Sequence, residues 1–479
     1  MSEGTDGLDQ TRTAPVAAPA RHARPDFPHG RLPILAMVVT AAALLLVVLA
    51  SIGVHIPYGL FYRLPLYGVF QPVASPWALT VVPAGALLAF LAWYATTSTR
   101  PRTPVALALL VFGGVVTAAS IALVRGHRYD LVRGVSTAPG ARYLTSDVHL
   151  VDQFGIRGFV EHYTALFPLM HVYNARTHPP GLILLLHTIM SVVGSAHLLR
   201  VSTVMAVIAM SGAVAAWLMG REGAGPRSGM TAAILFVASP GPLVMTYTSV
   251  DAVIAVPLAL GAALVMVAVH RDDLRWAAAG GAVLGVAALL TYAVAFVALA
   301  ATIAIAIEAG GWRRAVRLLG GTAAGGVAVL LLAWLTLGFN LLTTYRATPN
   351  VSNARYDPYW IIGSPAAVLI FAGIPVAALG LVGLVRPPSG TRRAVLPLTL
   401  VVIMLVWVNL PPSVTGLRPG ETERTWAFLY PMLAAAAAAV VTRWLDRASP
   451  ARRGTAIATL VVIGVAQTVL IQSLWDTLF

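Results

Sequence analysis

Apolar runs recur along almost the whole chain, separated by short polar connections. They fall at roughly 33–53, 76–97, 104–124, 179–197, 199–219, 228–246, 250–269, 276–291, 292–309, 318–339, 360–385, 394–411, 425–442 and 455–475. A bilayer has a hydrocarbon core about 30 Å thick, so about 20 apolar residues in helical form make one crossing. The pattern predicts an all-α fold, a polytopic transmembrane helix bundle of about 12–14 spans. Residues 1–32 are rich in Ala, Pro, Arg and His, have no long apolar run and read as a disordered cytoplasmic tail. The first apolar run lacks a small-residue cleavage site and reads as a retained helix, so residues 33–479 form one transmembrane domain.

Three polar connections are longer than the rest, about 125–178, 340–359 and 411–424. Long connections in a compact protein are either functional or disordered, and the aromatics, histidines and carboxylates in these three argue for order. Between Val148 and Phe167 the apolar residues are spaced by three and four, which predicts one or two amphipathic helices lying at the membrane surface.

Composition supports the membrane reading. Hydrophobic residues make up 58% of the chain and charged residues 10%, with a mean hydropathy of +0.81. Soluble proteins carry about 25% charged residues, so too little charge is available to coat a soluble surface. The net charge of +14 does not point to nucleic acid, because the basic residues sit in short clusters between apolar runs. Lysine is absent and every fixed cation is arginine. Clusters lie at Arg21, Arg24 and Arg31; Arg100 and Arg102; Arg271 and Arg275; Arg313, Arg314 and Arg317; Arg386, Arg392 and Arg393; and Arg443, Arg447, Arg452 and Arg453. Placed in the cytoplasm by the positive-inside rule, they put the N-terminus inside and the three long connections outside. The count of crossings between clusters does not close over 179–220, which suggests a half-membrane helix there or a dip of 155–173 into the bilayer. Lysine absence with Ala, Val and Arg richness fits a high-GC bacterium, hence a bacterial plasma membrane with an extracytoplasmic site. With no cysteine, thiolate chemistry and disulfides are excluded.

The first outer connection carries the densest chemistry. Asp147 and Asp152 are the candidate catalytic carboxylates, because a carboxylate on a surface helix can act as general base on an acceptor hydroxyl. Asp147 follows a Tyr-Leu-Thr-Ser turn and is the first choice, with a helix N-cap as its structural alternative. His149 and Arg157 lie nearby. His178, aimed by the two prolines that follow it, is a candidate donor to a phosphate or sugar oxygen. Asp251, with Tyr247, stands at the edge of two apolar runs, where an ionisable group is costly and therefore a candidate site residue. The third connection supplies Arg418, Glu421, Glu423 and Arg424; a guanidinium fork there could grip a phosphate, with a glutamate orienting it. Tyr356 of the middle connection could stack on a sugar, although an interfacial aromatic belt explains it equally. No residues have the spacing of a structural metal site, so no cofactor is assigned; a divalent metal held by Asp147, Asp152 and a phosphate stays open.

The order of motifs then becomes informative. Thr177-His178-Pro179-Pro180-Gly181, a span, His197-Leu-Leu-Arg200, a span ending near Gly220-Arg221, Ser239-Pro240, and Tyr247 to Asp251 resemble the core of protein-O-mannosyltransferase-like enzymes. These belong to the GT-C superfamily of membrane glycosyltransferases, with the aminoarabinose transferase of lipid A as a relative. A short hairpin at about 276–309 with Thr291-Tyr292 at its tip also fits. The resemblance covers roughly 140–310. It implies a catalytic acidic residue in the first large outer loop, a polyprenyl-phosphate-linked sugar as donor, and a glycan, glycolipid or protein acceptor. It further implies an inverting displacement in which Asp147 or Asp152 deprotonates the acceptor while Arg or His neutralises the departing phosphate. Three features depart from the pattern. Two extra spans precede the acidic loop, no adjacent acidic pair is present, and Tyr292 stands where a basic residue is common. A transporter or flippase for a lipid-linked glycan, and a non-catalytic partner of an envelope synthase, are the competing readings. The lack of an internal repeat and the outer-loop position of the polar groups favour the enzyme over the transporter.

Overall fold

A computed structural model describes residues 31–52, 68–98, 103–136, 147–171, 173–195, 197–348, 360–391, 394–410 and 422–477. The expected tail 1–32 lies almost wholly outside these. The described chain is a bundle of apolar helices. The one β feature among the described residues is a short antiparallel pair, Gly68–Phe70 with Trp475–Thr477, in register Val69 to Asp476. Arg125 ties this pair down, its guanidinium donating to the carbonyls of Gln71 and Gln472 at 3.2 and 3.0 Å.

Every apolar run read from the sequence becomes a helix, but not every helix can cross. Among the described residues eight are long and apolar enough to cross, or ten if each of two bent pairs is one span. Four expected spans are shorter helices: Gly181–Val193, Leu274–Leu290, Val294–Glu308 and Val395–Asn409. Gly181–Val193 has 13 residues, about 20 Å of rise, and is stopped by Gly194 in a left-handed conformation (φ 89°). It is shorter than the 179–197 run read from the sequence. The helices Asp251–Arg271 and Ala427–Trp444 are 83% and 78% buried and form the centre, whereas Leu32–Leu49 and Trp312–Leu337 are each 11% buried and line the periphery.

The peripheral helix Trp312–Leu337 is held by close backbone approach. A Cβ on Gly281 would lie 1.8 Å from the Thr322 carbonyl oxygen, and one on Gly325 would lie 2.0 Å from that of Ala278. Small residues at such a contact let dispersion replace the hydrophobic drive that lipid removes.

Two spans are bent. Pro226–Val237 and Pro240–Thr248 meet at 53°, at Ser239-Pro240. Ile361–Ala372 and Ile374–Val385 meet at 112°, with Gly373 at φ 83°. The break at Gly373 frees backbone groups that lipid cannot satisfy. Gln467, on the helix Pro450–Leu474, satisfies both sides: its amide nitrogen donates to the Ile370 carbonyl at 2.9 Å, and its amide oxygen accepts from the Ile374 N–H at 2.8 Å.

Two of the arginine clusters meet at one end of the bundle. Arg271 pairs with Glu222, and Arg314 and Arg317 both reach Asp272, at 3.0 and 2.5 Å. Asp251 begins the 21-residue helix that Arg271 ends, so Asp251 and its neighbours lie at the opposite end. The candidate chemistry is at that end.

Candidate functional site

The surface segment after the third helix forms as its spacing predicts, as the helix His149–Glu161 broken at Gly155 (φ 70°, ψ 160°). Val148 occupies its N-cap position, so Asp147 is not the cap. Asp147 is instead wholly buried and reaches forward along the chain. Its Oδ1 accepts the backbone N–H of His171 at 2.9 Å and faces Nδ1 of the same residue at 3.4 Å. The His149 ring lies beside the His171 ring, with centroids 5.8 Å apart.

Tyr163 closes the next turn. It is 1% exposed, and its hydroxyl donates to the carbonyls of Ala175 and, at 2.9 Å, of His178. One phenol thereby anchors the strand of chain that carries Arg176, Thr177 and His178. Burial first, then Tyr292 and the Asp147 carboxylate, push the Tyr163 hydroxyl far above its ordinary value, so it stays a neutral donor. The His178 ring meets the Thr177 hydroxyl through Nδ1 at 3.3 Å. Arg176 donates to the Met170 carbonyl at 2.6 Å, and its buried Nε has no hydrogen-bond partner. Gly181 lets the following helix approach Leu289, where a Cβ would sit 2.3 Å from the carbonyl oxygen. That contact brings the His-Pro-Pro element to the hairpin tip. Tyr292 at this tip packs edge-on against Tyr345, with centroids 5.3 Å apart, and accepts from the Thr348 hydroxyl at 3.2 Å. Burial pushes the Tyr292 hydroxyl upward, so it offers a neutral hydroxyl in place of the basic group expected there.

A second group forms around Asp251. Its Oδ2 accepts from the Ser249 hydroxyl at 2.9 Å and lies 3.2 Å from Nε of Arg424. The two side chains are 16% and 13% exposed. Glu423 beside Arg424 is wholly buried, and its carbonyl accepts from the Tyr430 hydroxyl. A narrow apolar crevice lies next to this pair along the chain, lined by Gly212, Phe236, Met245, Ala255, Ala427 and Tyr430 among others. Tyr247 is buried, with its hydroxyl bonded to Thr203, and its backbone carries the close approach of Gly134. Gly134 belongs to a turn with Asp130 and Arg133. Burial pushes the Asp130 carboxyl above its ordinary value, against Arg133 at 3.7 Å, which pulls it down.

The remaining expectations are sorted by burial. Asp152 is 69% exposed and takes the Nε2 of His187 at 3.0 Å. Asp147 and Asp152 therefore face different surroundings, each with its own histidine, and do not converge on one cation. Among the described residues no group of three or more His, Cys, Asp or Glu side chains is placed to hold a metal. Arg157 is exposed and pairs with Glu161 one turn on, at 3.8 Å, rather than turning to the buried group. Arg418, Glu421 and Tyr356 lie outside the described residues. His171, Tyr163, Arg176, Ser249 and His187 join these groups without having been singled out from the sequence. The partners of His171 and His187 are distant along the chain, and no local motif marks them.

Residues 177–339 match the family model described as dolichyl-phosphate-mannose-protein mannosyltransferase, and the match begins at Thr177 of the His-Pro-Pro element. The likeness to GT-C glycosyltransferases is thus borne out. No curated protein matches the chain. Solved structures of the oligosaccharyltransferase of Archaeoglobus fulgidus are similar at low identity. The complex with Zn and sulfate has 12% identity and a TM-score of 0.39, over 75% of this chain and 52% of that one. The AglB complex with an inhibitory peptide and a dolichol-phosphate has 14% identity and a TM-score of 0.37, over 76% and 55%. The chain spans about half the length of these archaeal proteins.

Proposed function

We propose that this multi-pass membrane protein transfers a sugar from a polyprenyl-phosphate donor to a cell-envelope acceptor on the outer face of a bacterial plasma membrane, with inversion at the anomeric carbon. The observation that carries this reading is the junction at Thr177. There the segment that matches the mannosyltransferase family starts, directly against the buried carboxylate of Asp147 through His171, Tyr163 and His178. A carboxylate held at the mouth of the bundle, with neutral phenols and cationic side chains around it, suits a displacement at an anomeric carbon. The negative charge of Asp147 supports removal of the acceptor proton. Arg176 and His178 stand where the leaving phosphate could be neutralised, and Arg176 has no carboxylate partner among the described residues. Membrane lipids surround the rest.

The test is release of polyprenyl phosphate from decaprenyl-phosphate [14C]mannose by the purified full-length protein in detergent, with and without an envelope glycan extract. Label moving to the extract supports the reading. No release with any polyprenyl-phosphate sugar tried, mannose or arabinose, from a protein shown to be folded would overturn it.

A further inference from the structure

Asp147 is badly placed to touch a substrate. It has no exposed surface, and one of its oxygens is already committed to the His171 backbone. Covered on all sides, its carboxylate offers no surface to a hydroxyl of another molecule. The His171 side chain is the opposite case. It is 69% exposed, and its Nδ1 is turned inward to the same carboxylate oxygen at 3.4 Å. The two ring nitrogens of a neutral imidazole have different roles, and the one that faces a carboxylate carries the proton. Nε2 then holds the lone pair on the open side of the ring. Oδ1 fixes backbone and ring of one residue together, which sets the direction of that lone pair.

We propose that His171 is the general base that contacts the acceptor hydroxyl, and that Asp147 is its positioning residue. This rests on the transferase reading above. As the acceptor oxygen bonds to the anomeric carbon, its proton passes to Nε2. The bond from the anomeric carbon to the phosphate oxygen breaks, and its electron pair leaves with the polyprenyl phosphate. Nδ1–H stays on Asp147, whose charge stabilises the imidazolium until Nε2 returns the proton to water. The separation of 3.4 Å is long for a hydrogen bond, and such contacts shorten when substrate binds. Among the described residues, the charged or titratable groups beside His171 include Asp147 and His149, from the start of the surface helix, and Arg176, bonded to the carbonyl of Met170 just before it. The second pair, Asp152 with His187, is built the other way round. Its carboxylate is 69% exposed and its imidazole 19%, so it presents no open nitrogen of this kind.

Two measurements on the full-length protein separate the outcomes. In the transfer assay, His171→Gln lowers kcat by about 10²–10⁴-fold with the donor KM little changed. Asp147→Asn moves the acidic limb of the pH–rate profile to lower pH, because the imidazolium loses its carboxylate. In ¹⁵N-histidine NMR, assigned by difference with His171→Gln, the wild type shows His171 protonated on Nδ1 at neutral pH, and Asp147→Asn removes that preference. Full activity of His171→Gln beside an inactive Asp147→Asn overturns the proposal and makes Asp147 the direct base. A His171 ring protonated on Nε2 regardless of Asp147 overturns it whatever the activity. A wild type that transfers no sugar but keeps the Asp147-dependent tautomer sinks the transferase reading alone.

Discussion

Arg424 Nε stands 3.2 Å from Asp251 Oδ2 and joins the end of the third outer connection to the head of the most buried helix. Both side chains are mostly covered, so either single neutralisation leaves an uncompensated charge. Asp251→Asn or Arg424→Gln is expected to cost about 3–5 kcal/mol, and the double variant to recover most of it. Thermal melts in detergent check this. If the double variant melts like the wild type but its donor KM has risen, Arg424 also serves the phosphate. An unchanged KM leaves the pair purely structural.

The two candidate carboxylates should behave differently. Asp147→Asn is expected to lower transfer by at least about 10²-fold in a protein that still folds. Asp152→Asn is expected to keep activity within about threefold and to change stability by no more than about 1 kcal/mol, since its partner contact is at the surface. Steady-state rates beside melting curves decide it. Equal and full activity in both variants would remove the acid–base role from this loop.

Tyr163→Phe leaves the Ala175 and His178 carbonyls without their shared donor. An unpaired buried polar group costs about 1–3 kcal/mol. The variant should therefore melt earlier and lose rate, because the chain that aims Arg176 and His178 is no longer anchored. Wild-type kinetics with wild-type stability would show that the phenol does not position this strand.

Asp130 predicts a pH dependence. Burial raises its folded value above the ordinary 3.8, despite Arg133. A raised folded value means the stabilising contribution is complete below the ordinary value and is lost as pH climbs through the folded one. Asp130→Asn should thus raise the melting temperature at about pH 8 and give no gain at about pH 4. A variant less stable than wild type at both would mean that the ion pair with Arg133 outweighs burial.

The bundle was legible because lipid imposes a coarse rule, and apolar length alone places every helix. Length was a poorer guide to crossing. Gly181–Val193 is as apolar as the spans but ends early, at Gly194. Hydropathy reads an apolar run and does not see where the backbone turns. Thr177 to Gly181 was legible as a motif because its prolines and glycine do local backbone work. Asp147 stood out as an acid in a long loop, but its partner His171 is reached only after the chain folds back over Tyr163. The pairing of Arg157 was legible locally: Glu161 four residues on is a standard helical ion-pair spacing.

The break at Gly373 carries a mechanical consequence. Broken spans are common gates in transporters, where the two arms swing. Here one amide from another helix grips both arms, so swinging them would strip two hydrogen bonds where no water replaces them. The elbow is a welded corner, and the arms Ile361–Ala372 and Ile374–Val385 travel with the helix Pro450–Leu474 as one body. A bend that would otherwise be the hinge of this span is thus clamped from outside it, by a single glutamine.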